Sequence, residues 1–163
     1  MLPTNRKYEI IEQIRATHQP LEEALAALSE EQMTEPGVNG EWTVKDMLAH
    51  ITWWEQHLLR RLRSGQDDVY TEAALANTDG RTLTDQTNAQ VFAANQSRPL
   101  EAVLSEFQTS YLELVNTLSS MAEEALANDE IYDAIGADTF RHYPEHTAML
   151  QAWADQKNSS SKR

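Results

Sequence analysis

Three of the five histidines, His50, His142 and His146, fall where helical spacing aims them toward a core. His142 and His146 are four residues apart. On a helix their imidazoles leave one side about a turn apart, so two ring nitrogens can reach one ion. Neutral imidazole suits zinc, nickel, copper or iron. A third ligand must come from another helix, and His50 supplies it. Three protein ligands leave positions open for water or substrate, which marks a catalytic site rather than a structural one. The plainer alternative is that these are core histidines, each satisfied by a hydrogen bond. Against it, both members of the pair lie on an apolar seam, where an unpaired polar ring costs free energy.

Other groups take lesser roles. Glu55 and Glu145 are candidate general bases that default to solvated charges. Asp138, one turn before His142, can orient that ring's second nitrogen or cap a helix. His57 lies on the same side of its helix as His50 but about 10.5 Å along it. It is expected to be exposed or to support the site, and His18 to lie at the surface. Among Trp42, Trp53, Trp54 and Trp153, Trp54 and Trp153 are assigned to a substrate pocket. Tryptophans at helical spacing also serve as core or dimer interface, and Trp53 points off the main stripe.

The elements that must position these groups read as all-α. Gly and Pro number five each, and Ala, Leu, Glu and Gln dominate. A first helix is expected over about Thr4 to Leu28, with Tyr8, Ile11, Ile14, Leu21, Leu25 and Leu28 on its inner face and a kink at Pro20. Residues 35–41 read as a loop. Thr43 and Asp46 resemble a capping box opening a second helix. Its stripe is Val44, Met47, Leu48, Ile51, Trp54, Leu58 and Leu62, with His50 on the shoulder, and Ser64–Gly65 ends it. Residues 66–81 form a polar connection able to act as a lid or site edge. A third helical region covers about Thr84 to Met121, divided at Pro99 with Ser97 as cap. A last helix spans about Asp133 to Gln156, with Ile135, Thr139, His142, His146, Met149 and Trp153 inward and Pro144 bending it. Residues 1–157 read as one domain, and 158–163 as a disordered tail.

Composition excludes several classes. Cys is absent, which removes disulfides, thiolate metal sites and a catalytic thiol from the chain itself. Acidic residues outnumber basic ones 26 to 13, for a formal charge of −13. That surface repels phosphate backbones, so nucleic acid is not an expected partner. Arg60, Arg61 and Arg63 cluster at a helix end, where they suit the helix dipole. No signal-like h-region opens the chain, and no apolar run approaches the roughly 18 residues of a span. A cytoplasmic protein without membrane contact is the expectation. Paired Glu-x-x-His motifs for a di-iron site, a Gly-rich phosphate loop and a Ser-His-Asp signature are missing.

Trp42-Thr-Val-Lys-Asp-Met-Leu-Ala-His50 resembles the signature that opens the second helix of DinB/YfiT-like proteins. The stretch Asp138 to His146, followed by Trp153, resembles the H-x₃-H segment of their last helix. Asn88 through Leu118, with its Asn-x-x-x-Phe start, is similar to the third helix of the ClbS/DfsB branch. Pro144 inside the histidine pair departs from the pattern. The resemblance implies an up-down-down-up four-helix bundle, often a homodimer, with a divalent metal, zinc or nickel foremost, at His50, His142 and His146. It also implies a small-molecule substrate and a role in stress or toxin protection. The chemistry would be that of a metal-dependent hydrolase or of a transferase using a low-molecular-weight thiol. Two alternatives stand beside it: a metal-free protein that sequesters a reactive metabolite, and a structural dimerisation module.

Overall fold

The computed structural model describes residues 5–161. Among them every regular element is a helix, apart from an isolated bridge between Asn39 and Trp42. The order is α1 (Arg6–Ala26), α2 (Glu30–Met33), α3 (Val44–Ser64), α4 (Glu72–Asn77), α5 (Gly80–Asn95), α6 (Leu100–Ser120), α7 (Glu123–Leu126), α8 (Asp129–Asp138) and α9 (Tyr143–Ser161). Four of these, α1, α3, α6 and α9, are 19 to 21 residues long. The main packing pairs are α3 with α6 and α1 with α9, while α5 and α8 also lie against α3. No helix among the described residues is long and apolar enough to cross a membrane.

α1 starts where Asn5 accepts a hydrogen bond from the Tyr8 N–H, and the expected first residue, Thr4, lies outside the described residues. The helix runs through Pro20 without a break. Ile10, Ile14, Leu21 and Leu25 are buried as the spacing predicts, but Tyr8 is exposed. α3 has the full capping box. Thr43 accepts from the Asp46 N–H, and Asp46 accepts from the Thr43 N–H at 2.8 Å. It ends at Gly65, whose φ of 76° is left-handed and suits a residue without a Cβ.

α3 is the central element, packed by α2, α5, α6, α8 and α9. Leu48, Ile51 and Leu58 of α3 are fully buried with Ile14 and Leu21 of α1, Leu114 and Leu118 of α6, and Leu150 of α9. Each such side chain contributes about 1.5–3 kcal/mol by leaving water. Truncating one, as in Leu58→Ala, costs about 2–5 kcal/mol.

Four expectations about elements are corrected. The polar connection contains α4, and α5 begins at Gly80 because Asp79 accepts from the Thr82 N–H. Ser97 does not cap α6; the extended Pro99 precedes it, with no side-chain cap. The last helix is two, α8 and α9, separated by residues 139–142. Thr139 leaves helical geometry at φ −133°, ψ −99°, and its carbonyl accepts from the N–H groups of both His142 and Tyr143 at 2.8 Å. Pro144 explains the break. Inside a continuous helix it would lose a hydrogen bond and clash with the preceding turn, but in the first turn of α9 its missing N–H costs nothing. α9 also continues through residues 158–161, expected as tail; residues 162–163 lie outside the described residues.

Candidate metal centre

α3 brings His50, the α8–α9 turn brings His142, and α9 brings His146 to one point. The Nε2 atoms of His50 and His142 are 3.0 Å apart, and those of His142 and His146 2.9 Å. The rings meet edge to face, with interplanar angles of 66°, 68° and 81°. Because α8 has ended, His142 reaches this point from an irregular turn and not from the helical ladder that carries His146.

Protons alone do not satisfy this arrangement. Each Nε2 offers either one N–H or one lone pair in its ring plane. His142 Nε2 faces two other Nε2 atoms, so only one of its two contacts can be a hydrogen bond. The three rings are also poorly protonated. Burial, reinforced by the other rings of the cluster, lowers His50 to about 3 and His142 well below the ordinary imidazole range. Burial lowers His146 to about 4. Converging neutral nitrogens are the donor set of a borderline cation. Imidazole nitrogens held about 2.0–2.1 Å from zinc stand roughly 3.3 Å apart in a tetrahedron, close to the spacing seen. The residues present therefore fit a divalent ion.

The second nitrogens differ from expectation. Nδ1 of all three rings is buried without a hydrogen-bond partner. Asp138 does not orient His142. Its Oδ2 lies 2.7 Å from Nδ1 of His57, while Nε2 of His57 lies 3.0 Å from Oδ1 of Asp67. His57 is buried, not exposed. Burial alone would lower its pKa, but the bonds to Asp138 and Asp67 outweigh that and raise it. With a carboxylate on each nitrogen, both ring atoms donate, which makes the ring an imidazolium. His57, Asp67 and Asp68 also sit close enough to share an ion. Arg61 on Asp67 and Arg60 on Asp68 already complete that cluster as a salt-bridge network.

The histidines form the floor of a cleft of about 770 Å³. Trp54 lines it, joined by Trp42, Tyr70 and Phe92. Trp42 lies edge-on to His50 at 5.2 Å and stacks on Phe92 at 5.8 Å. Trp54 stacks on Tyr70 at 6.2 Å and donates its indole N–H to Asn88 at 2.9 Å. Trp153 is not a wall of this cleft. Its ring packs against Gly37, where an added Cβ would meet it at 3.0 Å, and Lys157 covers it at 4.2 Å. Gly37 has a φ of 120°, so only glycine brings the backbone this close without strain.

The two candidate bases separate. Glu145 is exposed at the cleft. Glu55 is fully buried away from it and accepts a hydrogen bond from the Tyr143 hydroxyl. Burial lifts Glu55 to about 7 against the pull of that bond. His18, expected at the surface, is buried too, stacked on Tyr111 at 3.6 Å and lowered by burial to about 4. Sequence reading missed Tyr70, which lines the cleft, and Asp67, which holds His57; both are placed only by the fold of residues 66–70. Tyr143 was also missed, although it neighbours His142.

No curated protein matches the chain. Its fold is similar to the crystal structure of an uncharacterised protein from Escherichia coli UTI89, with a TM-score of 0.73 and 17% identity, covering 93% of this chain and 94% of that one. The family model described as the DinB superfamily matches residues 13–153, which is most of the chain. The chain therefore belongs to the DinB superfamily.

Proposed function

We propose that this protein is a divalent-metal protein acting on a small molecule, with His50, His142 and His146 as the ligands and zinc or nickel as the ion. The observation that carries the reading is the convergence of the Nε2 atoms of three neutral imidazoles on the floor of an aromatic-walled cleft. Three ligands on a divalent ion leave room for an exogenous partner. An ion held there supplies Lewis acidity.

The chain's own residues do the rest. The imidazoles stay neutral at physiological pH because burial disfavours their protonation. Trp42, Trp54, Tyr70 and Phe92 exclude water from one side of the bound molecule. Glu145, exposed beside the floor, is the carboxylate positioned to take up a proton. The finer reading follows the resemblance: an up-down-down-up bundle of the ClbS/DfsB type, with hydrolysis or thiol transfer as the reaction.

Metal analysis of untagged protein purified without chelator tests this. Wild type is expected to carry stoichiometric metal and His142→Ala to lose most of it. Equally negligible metal in both defeats the proposal.

A further inference from the structure

We propose that the cleft selects a small organic cation, an amine or quaternary ammonium with an apolar body, and disfavours anionic thiols. This rests on the metal-site reading only for the location of the cleft floor, and of the two reactions named there it favours hydrolysis over transfer from an anionic thiol. Four carboxylates, on Glu41, Asp85, Asp138 and Glu145, line the cleft, and no Lys or Arg does. Asp138 is answered by His57. The other three have no ion-pair partner among the described residues, and all are exposed at the rim.

An acidic rim alone would be an ordinary solvated surface. Here it surrounds a built interior. His50 and His146 are 7% and 5% exposed, line the cleft, and converge through Nε2 on His142, while their buried Nδ1 atoms have no hydrogen-bond partner. The walls add a second, independent preference. Two stacked aromatic pairs, Trp42 with Phe92 and Trp54 with Tyr70, line the same space. Aromatic faces attract ammonium groups, tryptophan most strongly. Carboxylates at the mouth raise the local concentration of cations and repel anions. A tripeptide thiol such as glutathione, with two carboxylates and one amine, enters this field unfavourably. The metal alone would attract such an anion, so the rim opposes the ion at its floor and narrows what can approach it.

Binding calorimetry on the zinc-loaded protein separates these contributions. Choline is the probe, because its quaternary nitrogen has no lone pair and cannot ligate zinc. The control is the neutral alcohol in which a tert-butyl group replaces the trimethylammonium. Choline is expected to bind about tenfold or more tighter than this isostere. In the triple variant Glu41→Gln, Asp85→Asn, Glu145→Gln, choline should weaken by about tenfold, the isostere should not change, and glutathione should bind more tightly. Equal affinity for the two isosteres in wild type, or an undiminished preference in the variant, overturns the proposal. Zinc content is measured on the same samples. Normal zinc without cation preference sinks the ligand class alone, whereas absent zinc sinks the metal reading and leaves the cation preference to be judged by itself.

Discussion

Tyr143 donates its hydroxyl to Glu55, so the residue next to His142 is tied to the helix that carries His50. Both partners are fully buried. The bond fixes the start of α9 against α3, and with it the separation of two candidate ligands. The carboxyl group is held where ionisation is costly, and this makes the tie sensitive to pH.

Burial holds Glu55 at about 7 in the folded protein, against the ordinary glutamate value of 4.5 that the unfolded chain keeps. A raised carboxyl pKa means the unfolded chain gives up its proton first. Stability therefore falls as pH rises from 4.5 to about 7, by about 3 kcal/mol at most. Glu55→Gln keeps an oxygen for Tyr143 and removes the titration. Urea midpoints at about pH 5 and about pH 8 should show this part of the slope in wild type and not in the variant. Parallel slopes for both proteins would refute the assignment.

His57 clasps the segment after α3 to the core through Asp67, whose Oδ1 also accepts from the N–H groups of Val69 and Tyr70. Its folded pKa is raised above 6.5. The clasp is thus complete below pH 6.5 and is lost as pH rises through the folded pKa. Hydrogen-exchange protection at Val69 and Tyr70, corrected for intrinsic rates, should drop by about tenfold over that rise, the size of one charged hydrogen bond. His57→Gln should show the low-protection value throughout. A flat protection profile in wild type would show that the ring does not hold this segment.

Much of this was legible in the sequence. His18 follows Ile14 by four residues and precedes Leu21 by three, and Glu55 stands between Ile51 and Leu58 at the same spacing. Both lie on the apolar face of their helices, so residue type misled where periodicity already pointed inward. The α8–α9 break was half readable. Pro144 signals a disturbance that a bend could satisfy, but the first turn of a new helix removes the clash at lower cost. His57 was not readable from α3 alone. Its burial depends on Asp138 of α8 and Asp67 folding over the shoulder of the α3 stripe that it shares with His50. Trp153 fits the inward seam, yet the seam cannot say whether a ring meets cleft or loop. Gly37 decided that.

Metal should stabilise the fold through the histidines. A ligand that binds only the native state adds about 2.7 kcal/mol at about a hundredfold excess over its Kd. Zinc added to chelator-stripped wild type should raise the thermal midpoint, and His50→Ala should abolish the rise. Burial lowers His50 to about 3 and His146 to about 4, so protons do not compete for these nitrogens near neutrality. The zinc-induced shift should therefore be unchanged between about pH 8 and about pH 6.5. An equal shift in His50→Ala would place the bound zinc elsewhere.

Gly136 sets the turn that delivers His142. Its carbonyl accepts from the N–H groups of Thr139 at 3.4 Å and Arg141 at 2.9 Å. A Cβ at this position would meet Nε of Arg141 at 2.7 Å and two Phe140 ring carbons at 2.8 Å. Those contacts are too close, and relieving them moves the side chains of residues 140 and 141, immediately before the ligand. Gly136→Ala should cost about 1–3 kcal/mol of stability through overpacking. If that strain passes along the turn, zinc affinity falls with it. Gly80→Ala provides the control, since an added Cβ there meets nothing within 4 Å. Stability loss together with weaker zinc binding in Gly136→Ala alone ties the turn to the site. Unchanged zinc affinity in a destabilised Gly136→Ala protein would mean that His142 is held by α9 and Tyr143, and not by the turn before it.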